Sequence, residues 1–441
     1  MGECPRRRRW PSGYTQYGDA AGPKGGRAHI IRRMAHDARS FPQAAGILGA
    51  FIYFLVGWCG LLVPSLIRSI EAAYGQSDAG IGIYYLVAAL AYAAGSLWGV
   101  PATERMGRRL VLGFASVVLA AGLVTLGLAL SWEVFVLAAV PVGLGVGALD
   151  GGANGLYLDV FSSNRGRALN LLHLCFSLGA LAAPLVTGAL VDAGLPWQSL
   201  LLGTALVALL LVAPLLLVAM PGGRHAAGAA GSAANSNRQG STPTRLPIPL
   251  LLLCLAIGCY IASEVGVSDW MVRFLEPAPV SVAAPALALF WAGIAVGRLV
   301  SARFADRVDH VRYATLAALA MSVALAGAIL VPSVPASIGL FALAGLAAGP
   351  VAPMIVVVGG DRYPDRSAAV GGYLTTAAVA GSIGLPTLIG LLSVAVGLAV
   401  AMTMTVGFGL ACAIALALVG RNRRLAGSAV GSTPIAGTAP N

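Results

Sequence analysis

Residues 141–160 read PVGLGVGALDGGANGLYLDV, an apolar, glycine-rich run interrupted by Asp150 and Asn154. A stretch this apolar is long enough for a helix to cross a hydrocarbon layer of about 30 Å. The whole chain shares its character: of 441 residues, 58% are hydrophobic and 10% charged. Soluble domains carry about 25% charge. In hydrocarbon each backbone amide must be satisfied within its own segment or in a closed barrel, so apolar runs of this length read as helices. Twelve can be marked, at 46–68, 80–101, 109–130, 134–158, 168–191, 198–219, 247–274, 284–304, 312–331, 334–358, 368–394 and 398–420. The fold class is an all-α membrane protein with twelve transmembrane helices.

The charges orient them. All but three of the 28 Lys and Arg residues fall in the N-terminal tail, the loops after even-numbered spans, or the C-terminal tail. By the positive-inside rule both termini face the cytoplasm. The net charge of +11 is thus a topology signal, with no aromatic-interleaved basic domain to imply nucleic-acid binding. A multi-pass protein of the plasma (inner) membrane, acting as a monomer in the lipid bilayer, is expected.

Residues 221–246 form a Gly/Ala/Ser/Asn tract with the composition of a flexible linker. They separate six spans at 46–220 from six at 247–420, flanked by a basic tail at 1–45, expected to be disordered, and a cytoplasmic tail at 421–441. The halves repeat. The second span ends in ATERMGRRLVL and the eighth in ARFADRVDHVRYA, while the fifth and eleventh each carry Pro followed four residues later by Gly. Two homologous six-helix bundles are the economical reading.

The plan, the central linker and TERMGRR at 103–109 resemble the major facilitator superfamily, whose loop motif runs Gly, three residues, Asp-Arg, one residue, Gly-Arg-Arg. Here Glu104 stands for the acid, followed by Arg105, Gly107, Arg108 and Arg109, and Val100 occupies the usual Gly position. Asp306 and Arg307 carry the second copy. Residues 259–272, 290–307 and 349–354, with the fourth and fifth spans, resemble the fucose/proton symporter family and its sugar-porter relatives. That resemblance implies the two-bundle facilitator fold. It also implies a secondary transporter with an acid at the position of Asp150 and an Asn at that of Asn154.

The residues support the same reading independently. At 100° per residue, Gly143, Gly147, Asp150, Asn154 and Tyr157 fall within about 40° of one stripe, with Asp159 on the far side near the water interface. Small residues permit close helix approach and polar ones avoid lipid, so this face looks into the bundle. The fifth span does the same with Asn170, His173 and Ser177. Depths counted from the intervening loop pair Asp150 with Ser177 and Asn154 with His173, predicting a polar cluster. An ionised Asp at mid-membrane costs about 2.5–3.5 kcal/mol on insertion scales. Either Asp150 meets a cation or water, or it takes up a proton; both describe a transport route, and Asp150 is the first candidate for proton coupling.

Glu264, sharing a face with Tyr260, Ser268 and Met271, is the second candidate. Asp269 lies about 140° around that helix, and with Arg273 nearer the outer surface is read as structural or gating. Arg298 shares a face with Trp291; Glu264, Asp150, an anionic substrate and snorkelling to the surface are all open to it. Tyr53, Tyr373 and Thr376 complete the substrate-binding candidates, as amphipathic groups suited to a sugar.

Six cysteines without ligand spacing give no metal site, and no phosphate loop or hydrolase motif is present, so no cofactor and no enzyme activity are expected. The leading function is proton-coupled transport of a small polar solute such as a sugar. Proton-driven efflux of amphipathic compounds, or a nontransporting membrane receptor, are the alternatives.

Overall fold

A computed structural model describes residues 24–161, 165–220, 246–304 and 307–430, with side-chain surroundings given between Gln43 and Arg421 except at a few positions such as Val100 and Asn170. Every regular element among the described residues is helical. The helices are α1 (Lys24–Tyr74), α2 (Asp78–Met106), α3 (Arg108–Gly127), α4 (Trp132–Val160), α5 (Arg165–Asp192) and α6 (Trp197–Leu217). They continue with α7 (Ile248–Phe274), α8 (Val280–Phe304), α9 (His310–Leu330), α10 (Val334–Arg362), α11 (Ser367–Val396) and α12 (Leu398–Val430). All twelve are long and apolar enough to cross a membrane, as expected. α10 is broken at Gly349–Pro350, where Pro350 supplies no amide hydrogen to the preceding turn.

The backbone of α1 starts at Lys24, inside the expected tail; no Gly or Pro interrupts residues 27–41, so nothing local stops a helix there. The rest of that tail at 1–23, the linker expected at 221–246 up to residue 245, and the C-terminal tail from 431 lie outside the described residues.

Two six-helix bundles with the same internal plan result. In the first, α1 packs on α5, α2 on α4, and α3 on both α4 and α6. In the second, α7 packs on α11, α8 on α10, and α9 on both α10 and α12. Each pairing advances by six helices, so the sequence repeat is also a packing repeat. The copies differ most at their last helices: α12 lies along α7 and α11, whereas α6 barely meets α1 or α5.

Glycine permits the closest crossings. A Cβ on Gly147 of α4 would stand 2.1 Å from the Tyr92 carbonyl oxygen of α2, and one on Gly345 of α10 would stand 2.1 Å from the Phe290 carbonyl oxygen of α8. These are equivalent helix pairs in the two halves. Backbone-to-backbone approach of this kind is what helix association without a hydrophobic drive requires.

The bundles meet along α2–α11, α5–α8 and α1–α7. At the end opposite the termini, here the far end, the joint is dense in polar contacts. Arg68 of α1 donates to the carbonyls of Val272 (2.8 Å) and Ala278 (2.6 Å). Arg273 of α7 pairs with Glu71 at 2.9 Å and Asp78 at 3.1 Å across the joint, and with Glu276 on its own side. Tyr85 donates to the carbonyl of Asp269 at 3.0 Å, and Thr387 to that of Gly82 at 3.0 Å. These contacts reach inward only as far as Phe176 against Trp291 and Ser177 against Arg298. Toward the terminal end, His173, Tyr373 and Thr376 are exposed.

Gly147→Val places a branched side chain into the Tyr92 carbonyl and should separate α2 from α4. Overpacking of this kind costs about 1–3 kcal/mol, and the expected result is a clear fall in the thermal midpoint of the purified protein. Gly60→Ala, where an added Cβ meets nothing within 4 Å, should leave the midpoint unchanged or raise it.

Candidate functional site

The α4 stripe faces inward as its spacing demands. Gly143 and Gly147 lie against α2, and the Tyr157 hydroxyl donates to the Gly46 carbonyl of α1 at 2.7 Å. Between them stands Asp150, half-buried. Its carboxylate accepts from the Tyr92 hydroxyl of α2 at 2.6 Å and from the Asn154 amide, one turn along, at 3.2 Å. The same amide donates to the hydroxyl oxygen of Tyr53, itself buried in α1. No cation lies within ion-pairing distance of Asp150 among the described residues.

α5 joins through aromatic contact. The His173 ring stands edge-on to Tyr53, centroids 5.3 Å apart at 82°, close enough to feel the charges of both Asp150 and Arg298. Three helices besides α4 therefore converge on Asp150 and Asn154. Of the expected cluster, Asp150 and Asn154 touch and His173 is joined to them by Tyr53; the side chain of Asn170 lies outside the described residues.

The second half presents Glu264, 6% exposed on α7. It accepts from the Tyr260 hydroxyl one turn earlier, and Ser268 donates to its carbonyl at 2.8 Å. Arg298 of α8 acts electrostatically on both Glu264 and Tyr260 but forms no ion pair among the described residues. Its guanidinium instead reaches across the joint to the Ser177 hydroxyl at 3.4 Å. Of the partners open to Arg298, the structure thus selects the neighbourhood of Glu264 together with the hydroxyl of α5. The Arg298 Nε and the Trp291 indole N–H are buried without acceptors among the described residues. Tyr373 and Thr376 stand apart from this cluster: Tyr373 is 39% exposed, and the Thr376 hydroxyl bonds the Gly372 carbonyl of its own helix.

A second polar site closes the terminal end of the first half. Gly107, at φ +82°, turns the chain between α2 and α3, leaving Glu104 and Arg105 exposed and Arg109 half-buried. Arg108 is drawn inside, pairing with Asp159 of α4 at 2.8 Å, side chains 2% and 5% exposed. Asp159 is therefore not at a water-facing surface: α3 covers that face of α4, and the ion pair is what α3 brings. In the second copy Arg307 is exposed, and Asp306 lies outside the described residues.

Tyr92 and the far-end acids Glu71 and Asp78 were not singled out from sequence. Tyr92 had a usable signal, being an amphipathic ring among Ala and Gly on a helix that enters from the same end as α4. Among the described residues no three of His, Cys, Asp and Glu converge as metal ligands would.

Comparison with known proteins places this arrangement. Residues 46–274 match the family model of the Major Facilitator Superfamily. A stretch of 111 residues, 25% of the chain, is 29% identical to the Sodium-dependent glucose transporter 1 of Xenopus laevis and covers 23% of that protein's length. A bacterial homologue of the human lysosomal transporter Spinster, solved in an inward-facing and unoccupied conformation, superimposes with a TM-score of 0.69 at 18% identity, over 86% of this chain and 97% of that one. A D-xylose-proton symporter gives 0.67 at 14% identity, over 85% and 97%. The nucleoside transporter NupG gives 0.65 at 14%, over 86% and 99%. At such identities these structures speak to the fold alone.

Arg108→Ala should strand Asp159 as an uncompensated buried charge, a loss of about 3–5 kcal/mol. The expected outcome is a large drop in thermal stability that Asp159→Ala, added to Arg108→Ala, partly reverses. A double variant no more stable than the single one would mean that Arg108 acts by packing rather than by charge.

Proposed function

The chain belongs to the major facilitator superfamily, and on that premise we propose that it is a proton-coupled secondary transporter carrying a small polar solute such as a sugar by alternating access. Two bundles of like plan rocking about a central site is the working principle of such folds. The halves are 46–220 and 247–420, joined by the linker at 221–246. The charge distribution puts both termini in the cytoplasm of a cell that holds the protein in its plasma membrane, where it works as a monomer. In that orientation the pinned far end is external, and the structure is the conformation open to the cytoplasm.

The observation that carries the reading is Asp150: a carboxylate in an apolar helix, held by two hydrogen-bond donors and no cation. Neutral donors steady the carboxylate without fixing its charge, as an arginine would. Asp150 can then accept a proton from one side and release it to the other when the bundles rock, while Tyr92 and Asn154 keep the group in place in both forms. In the second half Arg298 acts on Glu264 and Tyr260, and it also acts on the His173 ring that Asp150 reaches, so a solute held there would have hydrogen-bonding groups on both sides of the joint. Asn154, His173 and Tyr53 line the first side. A neutral, oxygen-rich solute suits this mixture of donors, acceptors and aromatic faces. The partial match to a glucose transporter and the fold shared with a D-xylose-proton symporter favour a sugar.

The test is transport in proteoliposomes under an imposed pH gradient. Wild-type protein should accumulate its sugar up to about tenfold per pH unit, the equilibrium limit for one proton per solute. Asp150→Asn should abolish accumulation while keeping exchange of labelled for unlabelled sugar. Undiminished accumulation by Asp150→Asn would remove the proton from Asp150. Proton movement opposite to the solute would point to efflux.

A further inference from the structure

Asp269 has no part in the site above. It lies on α7 at the far-end joint, 9% exposed, and no hydrogen bond or ion pair reaches its carboxylate among the described residues. The other half packs against this stretch of α7. Tyr85 of α2 donates to the Asp269 backbone carbonyl at 3.0 Å, and the neighbouring Trp270 packs edge-on to the Tyr85 ring, centroids 5.8 Å apart. The hydroxyls of Tyr84 and Tyr85 are the titratable groups of α2 that its charge reaches, with Glu71 of α1 behind them. On its own helix the nearest cation is Arg273, one turn on, already engaged by Glu71, Asp78 and Glu276. The far-end halves of α8, α11 and α12 contain no Asp, Glu, His, Lys or Arg.

Nothing in this pocket compensates a negative charge. A carboxylate taken out of water without a cation or donors is the costly case of charge burial. The same carboxyl would meet more water once the bundles part at this end, because the Tyr85 contacts with the Asp269 backbone and the Trp270 ring cross the joint. Burial and joint closure are thus one event for this residue. We infer that Asp269 is a proton-binding site built into the far-end seal, taking one proton from the solution at that end when the seal closes and returning it when the seal opens. The proton forms an O–H bond on the carboxylate and leaves to the same solution, so the site senses acidity there and carries nothing across. Closing binds a proton; acid therefore favours the sealed conformation.

This inference rests on the alternating access proposed above, and the test separates the two. Spin labels at Leu130 and Ser333, exposed far-end positions in opposite halves, are introduced as Leu130→Cys and Ser333→Cys with the six native cysteines replaced by serine. Electron–electron distance measurements in nanodiscs then report the ratio of sealed to open molecules between about pH 8 and pH 5. With Asp269 intact, the sealed fraction should rise on acidification, by up to about tenfold in the ratio per pH unit for one linked proton. Asp269→Asn should be shifted toward the sealed state and lose this response, and Asp269→Glu should keep it. An Asp269→Asn protein that responds like the parent overturns the inference and leaves alternating access standing, as does a parent that opens on acidification. A single far-end distance at every pH removes alternating access, and this inference with it.

Discussion

Hydrocarbon gives a polar group no partner, so each polar side chain in these helices must find one inside the protein. The structure follows from how few ways that can be done. The polar stripe of α4 has to turn inward, which puts Asp150 against Tyr92 and Asn154 against Tyr53. The small residues sharing that stripe let α2 come close enough for the Tyr92 hydroxyl to reach the carboxylate. Packing and polarity are therefore one constraint here: Gly147 sets the separation of α2 and α4, and that separation sets the bond.

The same constraint sorts the charges by depth. Arg108 and Asp159 cancel each other near the terminal end, behind α3. Arg68, Glu71, Asp78, Arg273 and Glu276 form a shared cluster at the far end, where partly exposed side chains can exchange partners. Between these levels Asp150, Glu264 and Arg298 are left without close ion pairs. Ionisable groups kept in a membrane interior without neutralising contacts mark pathways rather than scaffolding. Of these three, Arg298 reaches across the joint between the halves, to Ser177.

Helical periodicity is local, and what depends on it was legible in the sequence. The twelve spans, the inward face of α4 and the common face of Tyr260 and Glu264 all follow from spacing along one helix. Partners on other helices were not legible, because sequence fixes the angle around a helix but not which neighbour stands there. Depth counting set Asp150 level with Ser177, yet Ser177 meets Arg298 while Asp150 meets Tyr92. Asp159 was placed on the far side of α4 near the water interface; the angle alone did not show that α3 brings Arg108 to it from a loop motif. Asp269, 140° from Glu264 on α7, is off the central site, but that angle points it at α2 across the joint. Tyr373 and Thr376 share a face of α11, yet they stand apart from the cluster: Tyr373 is exposed and the Thr376 hydroxyl is taken by its own helix.

The two levels of inter-half contact are unequal, and the inequality bears on how such a molecule could turn over. At mid-depth, the polar link is one neutral hydroxyl held by Arg298 at 3.4 Å, a long bond. At the far end there are two carbonyls on Arg68, two acids on Arg273 and two further hydroxyl bonds. Number alone would favour the sealed end strongly, but Arg273 is 25% exposed, and ion pairs that water reaches contribute only about 0–1 kcal/mol each. A cluster of weak, replaceable contacts holds one conformation without trapping it. A few kcal/mol between two conformations is the range in which proton and solute binding can redistribute them. A dry, single-partner ion pair such as Arg108–Asp159 would be too costly to break at each cycle, and it lies within one bundle, where rocking leaves it intact.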